Sequence, residues 1–269
     1  WLGYEPAPLY MGRFLVESVS KSGPRRRMTI SAKAAEFTGP IRAAKVRSHH
    51  GKTLGEIATA IAAEHGLKHV IAPEVAALVI EHMDQQTESD LAFLQRLATR
   101  SGAVFKVADG NLLLTKRGSK TLPSGEANVS TTIRPADVAS WEWESGGRTD
   151  YKAVACTYRD DATGERKTAV AGDPASTSKH RDRRLYGSKA EAEVAAKAQL
   201  DDCARGKVSA RIETSLGRPE VFAECEVVLE GFDYEVDGAY RVKSVRHTLD
   251  GGGLRSSITL EIGESADPD

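Results

Sequence analysis

Apolar and polar positions alternate with period two near both ends of the chain, and in both places the alternation slips by one residue. In Gly12-Arg13-Phe14-Leu15-Val16-Glu17-Ser18-Val19, Phe14 and Val16 keep the period and Val19 falls one residue late. In Gly238-Ala239-Tyr240-Arg241-Val242-Lys243-Ser244-Val245, Tyr240, Val242 and Val245 do the same. A phase slip inside a strand predicts a β-bulge, which bends the strand and sharpens its twist. Each run is followed by a Gly-containing turn and a second alternating run, Met28-Thr29-Ile30-Ser31-Ala32 in one case and Ser257-Ile258-Thr259-Leu260-Glu261 in the other. Upstream, Trp1-Leu2-Gly3-Tyr4 echoes Leu229-Glu230-Gly231-Phe232. Two bent hairpins with one grammar predict a duplicated small β-domain. The chain opens at Trp1 inside what reads as a strand, whereas the second copy has strands ahead of Leu229; the expectation is a fragment lacking the first strands of copy one.

Between the copies the period changes to that of helices. Thr53-Leu54-Gly55-Glu56 is a capping box, followed by Leu54, Ile57, Ala58, Ile61 and Ala62 on one face and a Schellman-type stop at Gly66-Leu67. Thr87-Glu88-Ser89-Asp90 repeats the box with a shorter acid; Leu91, Leu94, Leu97 and Ala98 form the stripe, and Gly102 ends it. Ile71-Ala72-Pro73-Glu74 predicts a short helical turn, leading to an extended Val79-Ile80-Glu81-His82. Val104 to Val107 and Leu112 to Leu114 flank Asp109-Gly110, the sequence of a tight hairpin. The pattern breaks around Phe37-Thr38-Gly39-Pro40 and turns polar from Lys116 to Ser130, which delimits the parts 1–37, 38–130 and 131–263, with a tail at 264–269. In the third part Trp141 and Trp143 alternate with Glu142 and Glu144, and Val154, Cys156 and Tyr158 continue the period. Lys167 to Val170 should pair back across a turn at Asp160 to Gly164, and Gly172 to Arg184 reads as an exposed excursion. A helix over 188–205, capped by Ser188, is inserted before the strand Val208, Ala210, Ile212 and the last three strands.

Composition narrows the function classes without adding a site. The 269 residues carry a net charge of −1, so no global field draws the chain to nucleic acid or an anionic membrane, and no membrane partner or specific nucleic-acid partner is expected. Cys156, Cys203 and Cys225 have no CxxC pairing and read as small buried hydrophobes. Among the seven histidines, His49-His50 are adjacent and point apart, while His65 and His69 are separated by Gly66. His82, His180 and His247 have no Cys or acid at ligand spacing. Glu142 and Glu144 share the strand face opposite the two Trp, the pattern of a half-buried strand rather than of a glycosidase carboxylate pair. The basic runs Arg25-Arg26-Arg27 and Lys179 to Arg184 read as a solvated hairpin tip and a solvated loop, without interleaved aromatics for base stacking. No GxSxG, HExxH, P-loop or GxGxxG occurs. The expectation is no catalytic, cofactor-binding or metal-ligating residue, and no cofactor.

Several stretches then add up to a resemblance: Trp1-Leu2-Gly3-Tyr4, Met11-Gly12-Arg13-Phe14, Thr53 to Ile57, Glu88-Ser89-Asp90-Leu91-Ala92-Phe93-Leu94, Gly102 to Lys106, and Gly217-Arg218-Pro219-Glu220 through Gly238-Ala239-Tyr240. In order and over essentially the whole chain, these resemble the phage late control protein D family, baseplate hub proteins of contractile tails that are similar to the hub part of type VI secretion spike proteins. The resemblance implies a β-rich α+β fold: two tube-like antiparallel β-barrel domains, the first N-terminally incomplete, flanking a small α+β middle domain. It implies a structural protein of the virion baseplate or a tail-like particle, made in the host bacterial cytoplasm, with the tail tube protein and the tail spike protein as partners. A duplicated barrel fits this role, because three chains present six similar units and so match a six-fold tube to a three-fold spike; a homotrimer is the expectation. The rival reading is a peptidoglycan-binding module, since Thr53 to Ala58 faintly resembles the opening of a LysM domain and Trp141 and Trp143 offer surfaces for sugar stacking.

Overall fold

A computed structural model of the chain describes residues 1–24, 26–34, 40–108, 110–119, 121–122, 127–146, 151–160 and 162–262, with Ala34 described by its backbone. The break at Phe37-Thr38-Gly39, the hairpin's Asp109 and the tail at 264–269 lie outside these residues. Two compact units organise the fold: one holds Trp1, Tyr10–Thr99 and Ala103–Thr115, the other Leu2–Leu9, Arg100–Gly102 and Lys116–Asp269.

The first unit begins with an antiparallel ribbon, β1 (Phe14–Ser22) against β2 (Arg27–Ala34). Val16 faces Ala32 and Ser18 faces Ser31, which leaves Glu17 as the extra residue of a bulge where the phase slip predicts it. Every residue of β1 is exposed, and β2 has no second ladder partner among the described residues. The alternation of Phe14 and Val16 implies that they turn into a barrel core, and this is corrected: they are 57% and 52% exposed, because no described strand covers their face. The strand expected at Trp1 to Tyr4 is also corrected, to a single bridge between Leu2 and Leu9. Pro6 and Pro8 supply no N–H, so pairing cannot spread.

The rest of this unit is the compact α+β module. Its elements are β3 (Ala44–Thr53), α1 (Leu54–Glu64), β4 (Lys68–Ile71), α2 (Pro73–Ala76), β5 (Val79–Ser89), α3 (Asp90–Arg100), β6 (Ala103–Ala108) and β7 (Asn111–Lys116). The predicted capping box is made: the Glu56 N–H donates to Thr53 Oγ1 at 3.2 Å and the Thr53 N–H to Glu56 Oε2 at 2.8 Å. The stop is made as well, with Gly66 at φ +63° and the Leu67 N–H donating to the Ala62 carbonyl at 2.9 Å. β3 pairs antiparallel with β5, while β7 lies between β6 and a parallel β4. Leu54, Ile57, Ile61, Phe93, Leu94, Leu97, Leu112 and Leu114, each 0–1% exposed, fill one core between the helices and these strands.

The second unit contains β8 (Ser130–Ile133), β9 (Val138–Ser145), β10 (Ala153–Arg159), β11 (Arg166–Gly172), β12 (Lys179–Tyr186), α4 (Lys189–Arg205), β13 (Val208–Thr214), β14 (Glu226–Leu229), β15 (Gly238–Asp250) and β16 (Gly253–Ile262). Six of the strands form one sheet in the order β8-β14-β15-β16-β13-β9. Flat, its five gaps of about 4.8 Å would hold β8 and β9 roughly 24 Å apart. Yet only residues 134–137 separate Ile133 from Val138, a reach of about 17 Å at most. The sheet therefore curls, and its concave face gathers Ile133, Ile212, Val227, Leu229, Tyr240, Val242, Ile258 and Leu260 into one core. Between β15 and β16 the register shifts after Val242, with Lys243 the extra residue; this is the residue aligned with Glu17. The hydrophobic periods thus predict both bulges, at equivalent places.

One expectation fails in this unit. Lys179 to Arg184 is not a loop but most of β12, which pairs parallel with β10 at the margin of the sheet β11-β10-β12. An edge strand needs only one ladder and tolerates charge on its outer face, so its polar sequence hides it. It is anchored at its end by Tyr186, 2% exposed, whose hydroxyl donates to Asp182 Oδ2 at 2.6 Å. The Ala-rich α4 packs Ala192, Ala195 and Ala196 against Val154 and Cys156 of β10, where small side chains allow close approach.

Candidate functional site

The strands and helices of the first unit converge on Asp90. Its carboxylate is fully buried and sits in the first turn of α3, yet it caps nothing. Thr87, the expected cap, has φ +51°, and Ser89 takes the role, its Oγ accepting from the Ala92 N–H at 3.2 Å. The cap shifts because Asp90 has stronger partners. Oδ2 accepts from Lys45 Nζ at 2.6 Å and from His65 Nε2 at 2.7 Å, and Oδ1 accepts from Gln85 Nε2 at 2.8 Å and from Arg47. Lys45 and Arg47 also hold Glu64 at the end of α1. Burial alone would push the Asp90 carboxyl up; the hydrogen bonds from Lys45, His65, Gln85 and Arg47 outweigh it and hold it well below the usual carboxylate range.

Glu64, His65 and Asp90 are close enough to share a metal ion, but the chemistry does not ask for one. Two cationic side chains already face two carboxylates, so the cluster is balanced without an added charge. It ties β3 to both helices. Sequence reasoning missed it because β3 is inverted: Val46 points to solvent at 77% exposed while Lys45, Arg47 and His49 share the inward face. The available signal was three polar residues at i, i+2 and i+4 just ahead of a capping box.

Of the other histidines, His180 lies on β12 with its ring centroid 5.3 Å from that of Tyr151. His49 stacks on Phe93 with centroids 5.0 Å apart, and burial keeps its imidazole below its ordinary value. His69 lies on β4, apart from the end of α1 that carries His65. His247 is satisfied on both nitrogens: its Nε2–H donates to the Val221 carbonyl at 3.2 Å, so Nδ1 accepts from the Ser256 hydroxyl at 2.8 Å. His50 and His82 meet across β3 and β5, with their Nδ1 atoms 3.0 Å apart. Trp143 is half-buried in the core of the curled sheet and donates to the Tyr240 hydroxyl at 3.2 Å, so it is not offered for sugar stacking; Trp141 meets the Phe232 ring edge-on at 5.6 Å. Glu142 and Glu144 are exposed on β9. The Ser256 hydroxyl on His247 is 0% exposed and also accepts from the Arg218 N–H at 2.8 Å, so this pair is closed to a substrate from solvent.

The remaining candidate is a surface. Phe14, Val16, Val19, Met28 and Ile30 on the β1–β2 ribbon are 52–58% exposed. Aligned through the two bulges, Phe14 corresponds to Tyr240, Val16 to Val242 and Ile30 to Ile258. Those counterparts are 4%, 0% and 0% exposed. The same apolar positions are thus core in one hairpin and open in the other.

The profile of the phage tail baseplate hub (GPD) family matches residues 17–252. The probable baseplate hub protein of Escherichia phage 186 is 28% identical to this chain, across 97% of it and 78% of the relative. The fold is similar to a tail protein from Neisseria meningitidis MC58, with a TM-score of 0.70 and 16% identity over 92% of this chain and 79% of that one. It is similar too to an Escherichia coli component of the type VI secretion system, with a TM-score of 0.58 and 11% identity over 94% of this chain and 60% of that one.

Proposed function

Because this chain belongs to the phage tail baseplate hub (GPD) family, a family of structural tail components, we propose that it is a trimeric adaptor joining the tail tube to the spike. One observation carries the reading: the chain contains the same bulged hairpin twice, once covered and once open. A head-to-tail ring closes when each open face is covered by a neighbouring unit. With two related barrels per chain, three chains supply six positions to a six-fold tube and keep three-fold symmetry toward a spike. The tail tube protein and the spike protein are the partners in this scheme. The role is mechanical, and no catalytic step is assigned to any residue. No described helix is long and apolar enough to cross a membrane.

Multi-angle light scattering on the chain alone and on its mixture with the spike protein of the same particle tests this. A 3:3 complex is the expected result. A monomer in both samples, or a complex with only one copy of this chain, refutes the adaptor.

A further inference from the structure

We propose that His50 and His82 form a surface binding site for a divalent transition-metal cation of the copper(II) or nickel(II) type. The pair is 32 residues apart in sequence and is assembled by strand pairing, with His50 directly opposite His82 across β3 and β5. The rings stack with centroids 4.4 Å apart and planes 29° apart, and their Nδ1 atoms are in hydrogen-bond contact at 3.0 Å, so a small rotation of each exposed ring turns both nitrogens toward one ion. Two such nitrogens are ligands to a shared ion.

The surroundings set the tautomer that ligation needs. Asp84 Oδ2 lies 3.3 Å from His82 Nε2, and Asp84 Oδ1 accepts from the Ser48 hydroxyl at 2.5 Å. An ionised carboxylate only accepts, so Nε2 of His82 keeps its proton and Nδ1 presents its lone pair toward His50. A carboxylate behind a histidine, with the other ring nitrogen facing outward, is the usual support for a metal-ligating imidazole. His50 and His82 are both exposed, so an ion from solution reaches them directly.

The donor set selects the metal: imidazole nitrogens suit copper(II), nickel(II) and zinc(II), and copper(II) leads the affinity series. On binding, two metal–nitrogen bonds form, the N–H bond between the two Nδ1 atoms breaks and its proton leaves to solvent, and a proton is taken up from solvent on Nε2 of His50, which stays a neutral imidazole; water completes the coordination. The bound ion cross-links β3 to β5 on their outer face.

The test is calorimetric titration of the tag-free chain with copper(II), nickel(II) and zinc(II) chlorides, repeated on His50→Ala, His82→Ala and the double variant. Circular dichroism checks that each variant is folded. The expected result is one equivalent bound in the order copper, nickel, zinc, with each single variant weakened at least tenfold and as far as the double one, because a lone imidazole cannot chelate. Asp84→Asn should weaken binding by about 10–100-fold. Equal affinity in the wild type and the double variant overturns the site. Zinc binding tighter than copper overturns the metal assignment, and an unchanged Asp84→Asn overturns the role given to the carboxylate.

Discussion

Replacing Asp90 with Asn keeps the size of the side chain and removes its charge. The carboxylate receives hydrogen bonds from Lys45, Arg47, His65 and Gln85, two on each oxygen. An amide in the same place can offer one oxygen, and its NH2 group must then face donors. The two cations lose their buried partner and keep only Glu64, which is exposed. Breaking a buried ion pair from one side costs about 3–5 kcal/mol. At roughly 2–4 °C per kcal/mol, the melting temperature should fall by about 6–20 °C. The pH dependence has a definite sign. Asp90 titrates below its ordinary range in the folded chain, so its contribution is complete above about pH 5 and fades as pH falls through the unfolded carboxylate value near about 3.9 and below. Thermal melts of wild type and Asp90→Asn at pH 7 and in steps down to pH 3 measure this, with Glu142→Gln as an exposed control. A loss below about 1 kcal/mol at pH 7, or a gap between the proteins that widens on acidification, refutes the reasoning.

Two further outcomes follow from the same structure. Ile258→Ala should cost about 2–5 kcal/mol in chemical denaturation, because its side chain is fully buried. Ile30→Ala, at the equivalent place in the open hairpin, should cost less than about 0.5 kcal/mol in the isolated chain. Similar losses for both would mean that Ile30 is covered. Of the three thiols, Cys156 and Cys225 are buried, and burial pushes Cys156 up to about 11. A chromogenic disulfide reagent at pH 8 should therefore label Cys203 first in the native protein and all three in denaturant; rapid native labelling of Cys156 would contradict its burial.

The sequence was most legible where local chemistry and tertiary packing agree. The Thr53-Glu56 box, the Gly66 stop and both bulges follow from a few neighbouring residues, and the structure makes each of them. It was least legible where a strand's polarity is set by a distant partner. β3 turns Lys45 and Arg47 inward because Asp90 and Glu64 wait there, so its apolar positions do not mark its buried face. β12 carries charge because it lies at an edge, and only its pairing with β10 makes it a strand. The His50–His82 pair was invisible for the same reason: register across β3 and β5 creates it. Phe14 and Val16 show the opposite failure, since their alternation marks a buried face correctly for a hairpin but cannot say which strands do the covering.

The placement of β8 and β9 at opposite margins of one sheet has a kinetic consequence. They are neighbours in sequence, yet Ser130 pairs with Glu226 and Glu144 with Ser209. On a ribosome both strands emerge long before their partners, and everything from β10 to α4 is made in between. Closure of the curled sheet must therefore wait for the last strands, a high-contact-order step that is slow relative to local hairpin formation. Until then two unpaired strands are on offer to any other chain nearby. The order of synthesis thus exposes a sticky interval in every nascent copy, and slowing translation just after α4 should lengthen it and raise the aggregated fraction.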